Sequence, residues 1–140
     1  MTAVTAGLQL PTWELPVTPT LVVSTAIATR DFQDVHHDRD VAQAAGSKDI
    51  FVNILASNGL CERYVTDWAG PQVQILGIAI RLGAPAHPYD TLTFTGRVAS
   101  VDDGVATIEV EAAVSLGSHL TGTVRILADS VQSDGLEGVA

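Results

Sequence analysis

The clearest regularity lies in the second half of the chain. In "TLTFTGRV", Leu92, Phe94, Gly96 and Val98 alternate with Thr91, Thr93, Thr95 and Arg97, the period of two expected of a strand with one buried and one wet face. Ala106, Ile108, Val110, Ala112, Val114 and Leu116 repeat the alternation against Thr107, Glu109 and Glu111. "VQILGIAIRL" from Val73 and "HLTGTVRILA" from His119 supply two further strands, with "APAHPYD", "DDG" and "GS" as turns between them. Over 50–68 the apolar spacing changes to three and four, through Phe51, Ile54, Leu55, Leu60, Tyr64, Val65 and Trp68, and "AGP" ends the run. Val52 lies beside that face too, so this long helix is apolar over more than one stripe and is expected to be wrapped by the sheet. Nearer the start, the proline-flanked, β-branched "LVVSTAIAT" at 21–29 predicts a fifth strand. Asp34 then serves as N-cap of a short helix through "VHHDRDVAQAA", with Asp38 favouring its positive end and Gly46 as its stop.

One strand, two helices and a four-stranded meander make an α+β chain. A five-stranded antiparallel sheet wrapped on a long central helix buries both partners, which is the layout of a single hot-dog fold. At 140 residues there is room for one such domain. Its expected extent is 20–128, preceded by a proline-marked N-terminal extension (1–19) and followed by a disordered polar tail (129–140).

Composition sharpens the list of partners. Apolar residues make up 46% and charged residues only 16%, against roughly 25% charged in an ordinary soluble domain. Part of the surface is therefore expected to be covered by another chain, and the open edge of the sheet is the natural place. A net charge of -9 disfavours nucleic acid and anionic membrane surfaces. No apolar run approaches the ~20 residues that span a bilayer, and "MTAVTAGLQL" lacks the form of a secretory signal. The lone Cys61 has no disulfide partner and reads as a packed thiol in a reducing, cytoplasmic compartment.

Against this background "TRDFQDVHHDRD", 29–40, stands out, with four aspartates, two arginines and two histidines in twelve positions. By pattern alone it is either a capped, solvated helix start or a reactive site. A loop followed by the first turn of a helix can bring side chains five apart to one point, which a continuous helix or strand does not readily do. His37, beside Asp38 and Asp40, reads as part of a solvated face rather than a metal site, since helix neighbours point apart. His87 and His119 read as structural.

The segment Asp31, Phe32, Gln33, Asp34, Val35, His36 resembles the D-x-N-P-[IL]-H loop of the MaoC-like, R-specific enoyl-CoA hydratases, with Gln33-Asp34 in place of Asn-Pro. The likeness extends in element order from about Leu21 to Ala128. Within the family, "ATRDFQDVHHDRD", "GSKDIFVNIL" and "RYVTDWAGP" are most similar to the small subunit of actinobacterial two-subunit hydratases that act on steroid side-chain CoA thioesters. The resemblance implies that Asp31 and His36 activate a water that adds to a trans-2-enoyl-CoA. It also implies a backbone N–H at the start of the long helix polarising the thioester oxygen. The corresponding position is Asn53, where the family has glycine. No cofactor or metal is implied, since CoA is part of the substrate. The implied partner is a second MaoC-like hot-dog subunit, in a heterodimer or heterotetramer, that supplies room for the steroid and part of the CoA site. Two other readings stay open: a non-catalytic hot-dog subunit supporting an active partner, and a homodimeric acyl-CoA thioesterase.

Overall fold

A computed structural model describes residues 3–132. Five antiparallel strands form one sheet in the order β1-β3-β4-β5-β2: β1 Gln9–Pro16, β2 Ile75–Leu82, β3 Thr91–Asp102, β4 Val105–Val114 and β5 Gly117–Leu127. Three helices precede the meander: α1 Pro19–Ala28, α2 Arg39–Ala44 and α3 Ile54–Ala69. The alternation seen in the sequence is the burial pattern as far as Val114; Leu116, expected on the same buried face, is 63% exposed in the turn that follows β4. Leu92, Phe94 and Val98 of β3, Ala106, Ile108, Val110 and Ala112 of β4, and Leu120, Val124 and Ile126 of β5 are all buried. Against them α3 sets Ala56, Leu60, Cys61, Tyr64, Val65, Trp68 and Ala69. Cys61 is a buried free thiol, pushed up to about 11 chiefly by burial. Asp103 and Gly104, both with positive φ, make the two-residue turn between β3 and β4.

The segment at 21–29 is a helix, not the predicted strand. Thr18 is its N-cap, its hydroxyl accepting from the Leu21 N–H at 3.0 Å, and Pro19 opens the first turn with a φ already suited to it. Inside α1 the Thr25 and Thr29 hydroxyls donate to the Leu21 and Thr25 carbonyls one turn back, while Val22 and Ala26 form the buried stripe. The β-branched content suggested a strand; the cap and the four-residue burial spacing decide for the helix. The fifth strand lies in the stretch expected to be an extension. β1 pairs with β3 at the edge of the sheet, the position where prolines are tolerated, and its pairing shifts between Leu10 and Trp13, around Pro11.

The predicted short helix is also divided. Asp34–His36 form one 3-10 turn without a side-chain cap, and Asp38, not Asp34, caps α2 by accepting from the Asp40 and Val41 N–H groups. At the other end of the chain Ala128–Ser130 form a further 3-10 turn. There the Ser130 hydroxyl accepts from the Gln74 N–H, and the Gln132 N–H donates to the Ala69 carbonyl. The remainder of the expected tail, 133–140, lies outside the described residues.

Two backbone positions carry measurable strain or closeness. A Cβ on Gly96 would stand 3.0 Å from the Tyr64 ring, which cannot retreat because its hydroxyl donates to the Pro11 carbonyl at 2.7 Å. Gly96→Ala is expected to lose about 1–2 kcal/mol; an unchanged urea midpoint would contradict this packing. Arg30, exposed and at φ 56, occupies the left-handed position that ends α1. The Arg30 N–H donates to the Ile27 carbonyl and the Asp31 N–H to the Ala26 carbonyl, the Schellman pattern usually served by glycine. Arg30→Gly is expected to gain roughly 0.5–1 kcal/mol in the same measurement, and a loss would show that the Arg30 side chain contributes more than its strain costs.

Candidate active site

The α1 terminus determines where Asp31 stands. Because Arg30 turns the chain back on the helix, Asp31 follows immediately after the last turn of α1, and its carboxylate meets the start of α3. There the Asn53 Nδ2 donates to Asp31 Oδ2 at 3.0 Å and to the Thr29 hydroxyl at 2.9 Å. The Gln33 N–H donates to Asp31 Oδ1 at 3.2 Å. The Asn53 amide first, and then the Gln33 N–H, hold the Asp31 carboxyl below its ordinary 3.8, with burial acting weakly against them. Asp31 is thus an anion over the working range of most proteins.

His36 comes from the 3-10 turn and is buried. Its Nδ1 lies 2.8 Å from the Phe51 carbonyl. A carbonyl can only accept, so Nδ1 carries a proton and, in the neutral ring, Nε2 is a bare acceptor. That Nε2 faces Asp31 Oδ2 at 3.4 Å. The Phe51 ring stands edge-on to the imidazole at 4.8 Å and limits its rotation. The pair predicted from the sequence is therefore brought together, with Asp31 Oδ2 and His36 Nε2 facing one another at the same pocket.

Asn53 is close to both, but its side chain does not point into free space. It is 2% exposed and is the N-cap of α3, with Oδ1 accepting from the Ala56 N–H at 2.9 Å. Both ends of the amide are therefore used within the protein. Among the described residues the backbone N–H groups of Asn53, Ile54 and Leu55 have no partner, as expected in the first turn of a helix.

These groups border a pocket of about 310 Å³ lined by Asp31, Gln33, His36, Asn53 and His119 on its polar sides and by residues such as Phe51, Ile54 and Leu82 elsewhere. His119 has the structural ties expected of it and also lines the pocket, whereas His37 departs from the sequence reading. His119 Nδ1 donates to the Ala84 carbonyl at 2.7 Å, and its Nε2 meets the buried Ser57 hydroxyl at 2.9 Å; burial pushes it below the ordinary histidine value, so it is a neutral wall of the pocket. His37 is not merely solvated, since its Nε2 lies 2.7 Å from the Asp31 carbonyl. His87 is buried and tied to the Ile50 carbonyl at 3.0 Å, a structural role as expected. Ser57 and His119 are 62 residues apart, and no local spacing signals their meeting.

No family model matches the chain. The beta subunit of 3-oxo-4,17-pregnadiene-20-carboxyl-CoA hydratase from Mycobacterium tuberculosis is 58% identical over 120 residues, which are 86% of this chain and 93% of that protein. The crystal structure of the ChsH1-ChsH2 complex from Mycobacterium tuberculosis contains a chain of the same fold, with TM-score 0.87 and 55% identity over 94% of this chain and all of that one. The (R)-hydratase from A. caviae involved in PHA biosynthesis shares the fold at TM-score 0.81 and 17% identity, over 90% of this chain and 98% of its own. With the hot-dog layout, the Asp31–His36 geometry and this degree of identity together, the chain belongs to the MaoC-like hot-dog hydratases, in the family of the steroid-CoA hydratase beta subunit.

Proposed function

We propose that this chain is the catalytic subunit of a heteromeric hydratase that adds water to a trans-2-enoyl-CoA thioester of a steroid side chain, giving the 3-hydroxyacyl-CoA. The observation that carries this reading is the carboxylate–imidazole pair, Asp31 Oδ2 and His36 Nε2, 3.4 Å apart at the wall of one pocket. A water donating one hydrogen to each presents its lone pair outward, toward a substrate Cβ. As the C–O bond forms, one O–H bond of the water breaks and its proton passes to the pair, which returns a proton to Cα; general acid–base work of this kind contributes roughly 10²–10⁴-fold. Negative charge develops on the thioester oxygen meanwhile. The free N–H groups of Asn53 and Ile54, at the positive end of α3, are the donors we assign to it, through backbone rather than the occupied Asn53 amide.

The need for a partner follows from what is left uncovered. Ile54 and Leu82, which line the pocket, are 54% and 37% exposed, and Phe32 and Leu55, next in the chain to lining residues, are 68% and 54% exposed, while among the described residues β2 pairs on one side only, with β5. A pocket of about 310 Å³ is at the small end of ligand sites, which run from roughly 300 to 1,000 Å³. A second hot-dog chain over this mouth would enclose the rings and contribute to the CoA site, in keeping with the two-chain complex formed by the relative.

In the assembled complex, Asp31→Ala and His36→Ala are each expected to lower hydration at least ~100-fold while circular dichroism and the melting temperature show a folded chain. Retained turnover in both would remove the assignment, and retained turnover in Asp31→Ala alone would favour a supporting, non-catalytic role. The pH dependence gives an independent check. Because the Asp31 carboxyl lies below its ordinary 3.8, activity is present above that value and lost only as the pH falls through the depressed one. Asn53→Asp keeps a capping oxygen but removes the donor and adds a like charge, so the acid limb of the rate profile is expected to move up by roughly 1 unit or more. An unmoved acid limb would show that Asp31 is not the group titrating.

A further inference from the structure

The reactive loop lacks the stiffening that its family motif supplies. Proline fixes its own φ and restricts the residue before it, and this chain has Gln33-Asp34 there instead of Asn-Pro. The loop from Asp31 to Gln33 makes only local contacts along its backbone: the Asp31 N–H returns to the Ala26 carbonyl, and the Gln33 N–H to the Asp31 carboxylate itself. What closes it is the side chain of His37. Its Nε2–H donates to the Asp31 carbonyl at 2.7 Å, and among the described residues nothing else donates to that oxygen. The ring lies nearly parallel to Phe32, at 6.2 Å and 18°, so the clasp spans the base and the tip of the loop. The base of His37 is in turn fixed, because its own N–H and that of Asp38 both donate to the Asp34 carbonyl.

We propose that His37 is a positioning residue for the reaction, one that substitutes for the missing proline by holding the Asp31 backbone so that the carboxylate stays beside Nε2 of His36. His37 does not line the pocket. It acts through Asp31 alone. Without the clasp the Asp31 carbonyl loses its partner and the peptide between Asp31 and Phe32 is free to rotate, which moves the carboxylate relative to the imidazole. Misplacement by about 1 Å is enough to cost roughly 100-fold in rate, without altering how the rest of the site grips CoA.

The inference rests on the hydratase reading, and its test is arranged to separate the two. In the complex with its partner subunit, with 3-oxo-4,17-pregnadiene-20-carboxyl-CoA as the probe, His37→Phe keeps an aromatic ring beside Phe32 and removes the N–H. Its kcat is expected to fall about 10–100-fold with KM within about two-fold and the melting temperature of the complex unchanged. His37→Gln places an amide Nε2 where the imidazole Nε2 was and is expected to recover most of that loss. Wild-type kcat in His37→Phe, no recovery in His37→Gln, or a parallel fall of kcat and melting temperature in both would overturn the positioning role. Asp31→Ala in the same assay identifies which idea has failed: if it is inactive while His37→Phe is not, only the clasp falls, and if it is active the hydratase assignment falls first.

Discussion

The structure depends most on one buried amide. Asn53 uses its oxygen to cap α3 and its nitrogen to hold both the Asp31 carboxylate and the hydroxyl that ends α1. A cap of this kind is worth about 1 kcal/mol, and stranding a buried polar partner costs about 1–3 kcal/mol. The larger consequence is geometric. The buried face of α3 is set by the sheet, the sheet sets the height of its first turn, and that turn sets Asp31. Core packing and the position of the Asp31 carboxylate are therefore one constraint.

A second constraint comes from the histidines. The chain has four, and each places a ring nitrogen against a backbone carbonyl: His36 on Phe51, His37 on Asp31, His87 on Ile50 and His119 on Ala84. These carbonyls belong to the loop segments around the pocket, where ladder partners are scarce. Among the described residues the bonds satisfy carbonyls that have no other protein donor. They also fix which nitrogen is free. For His36 that leaves Nε2 facing the Asp31 carboxylate at 3.4 Å. For His119 it leaves an acceptor for the Ser57 hydroxyl, and a wall without charge.

Much of this was legible in the sequence, and the boundary has physical reasons. Strands β3, β4 and β5 announce themselves because one face is buried and the other wet, so the period of two survives in the letters. The long helix does so through Leu60, Tyr64 and Trp68. The Asp31 to His36 spacing is local, and the turn that realises it is local too. By contrast the α1 segment is rich in Val, Thr and Ile, and the signal that makes it helical is the short Thr18-Pro19 cap, easily taken for loop chemistry. β1 was hidden by Pro11 and Pro16, which only an edge strand tolerates. Asn53 sits 22 residues from the carboxylate it holds, so its role exists only once the fold has formed. The His37 clasp is hidden differently, since adjacent histidines on a regular helix would point apart, and it is the break between the 3-10 turn and α2 that lets the ring fold back.

The central claim is that Asp31 and His36 deliver a water to the β-carbon of an enoyl thioester. The most direct measurement is to run the reaction of the assembled complex in water enriched in oxygen-18 and to weigh the products. The account predicts one heavy oxygen in the 3-hydroxyl group of a product whose thioester is intact. Heavy oxygen in a free carboxylic acid, with CoA released, would contradict it and identify the chain as part of a thioesterase.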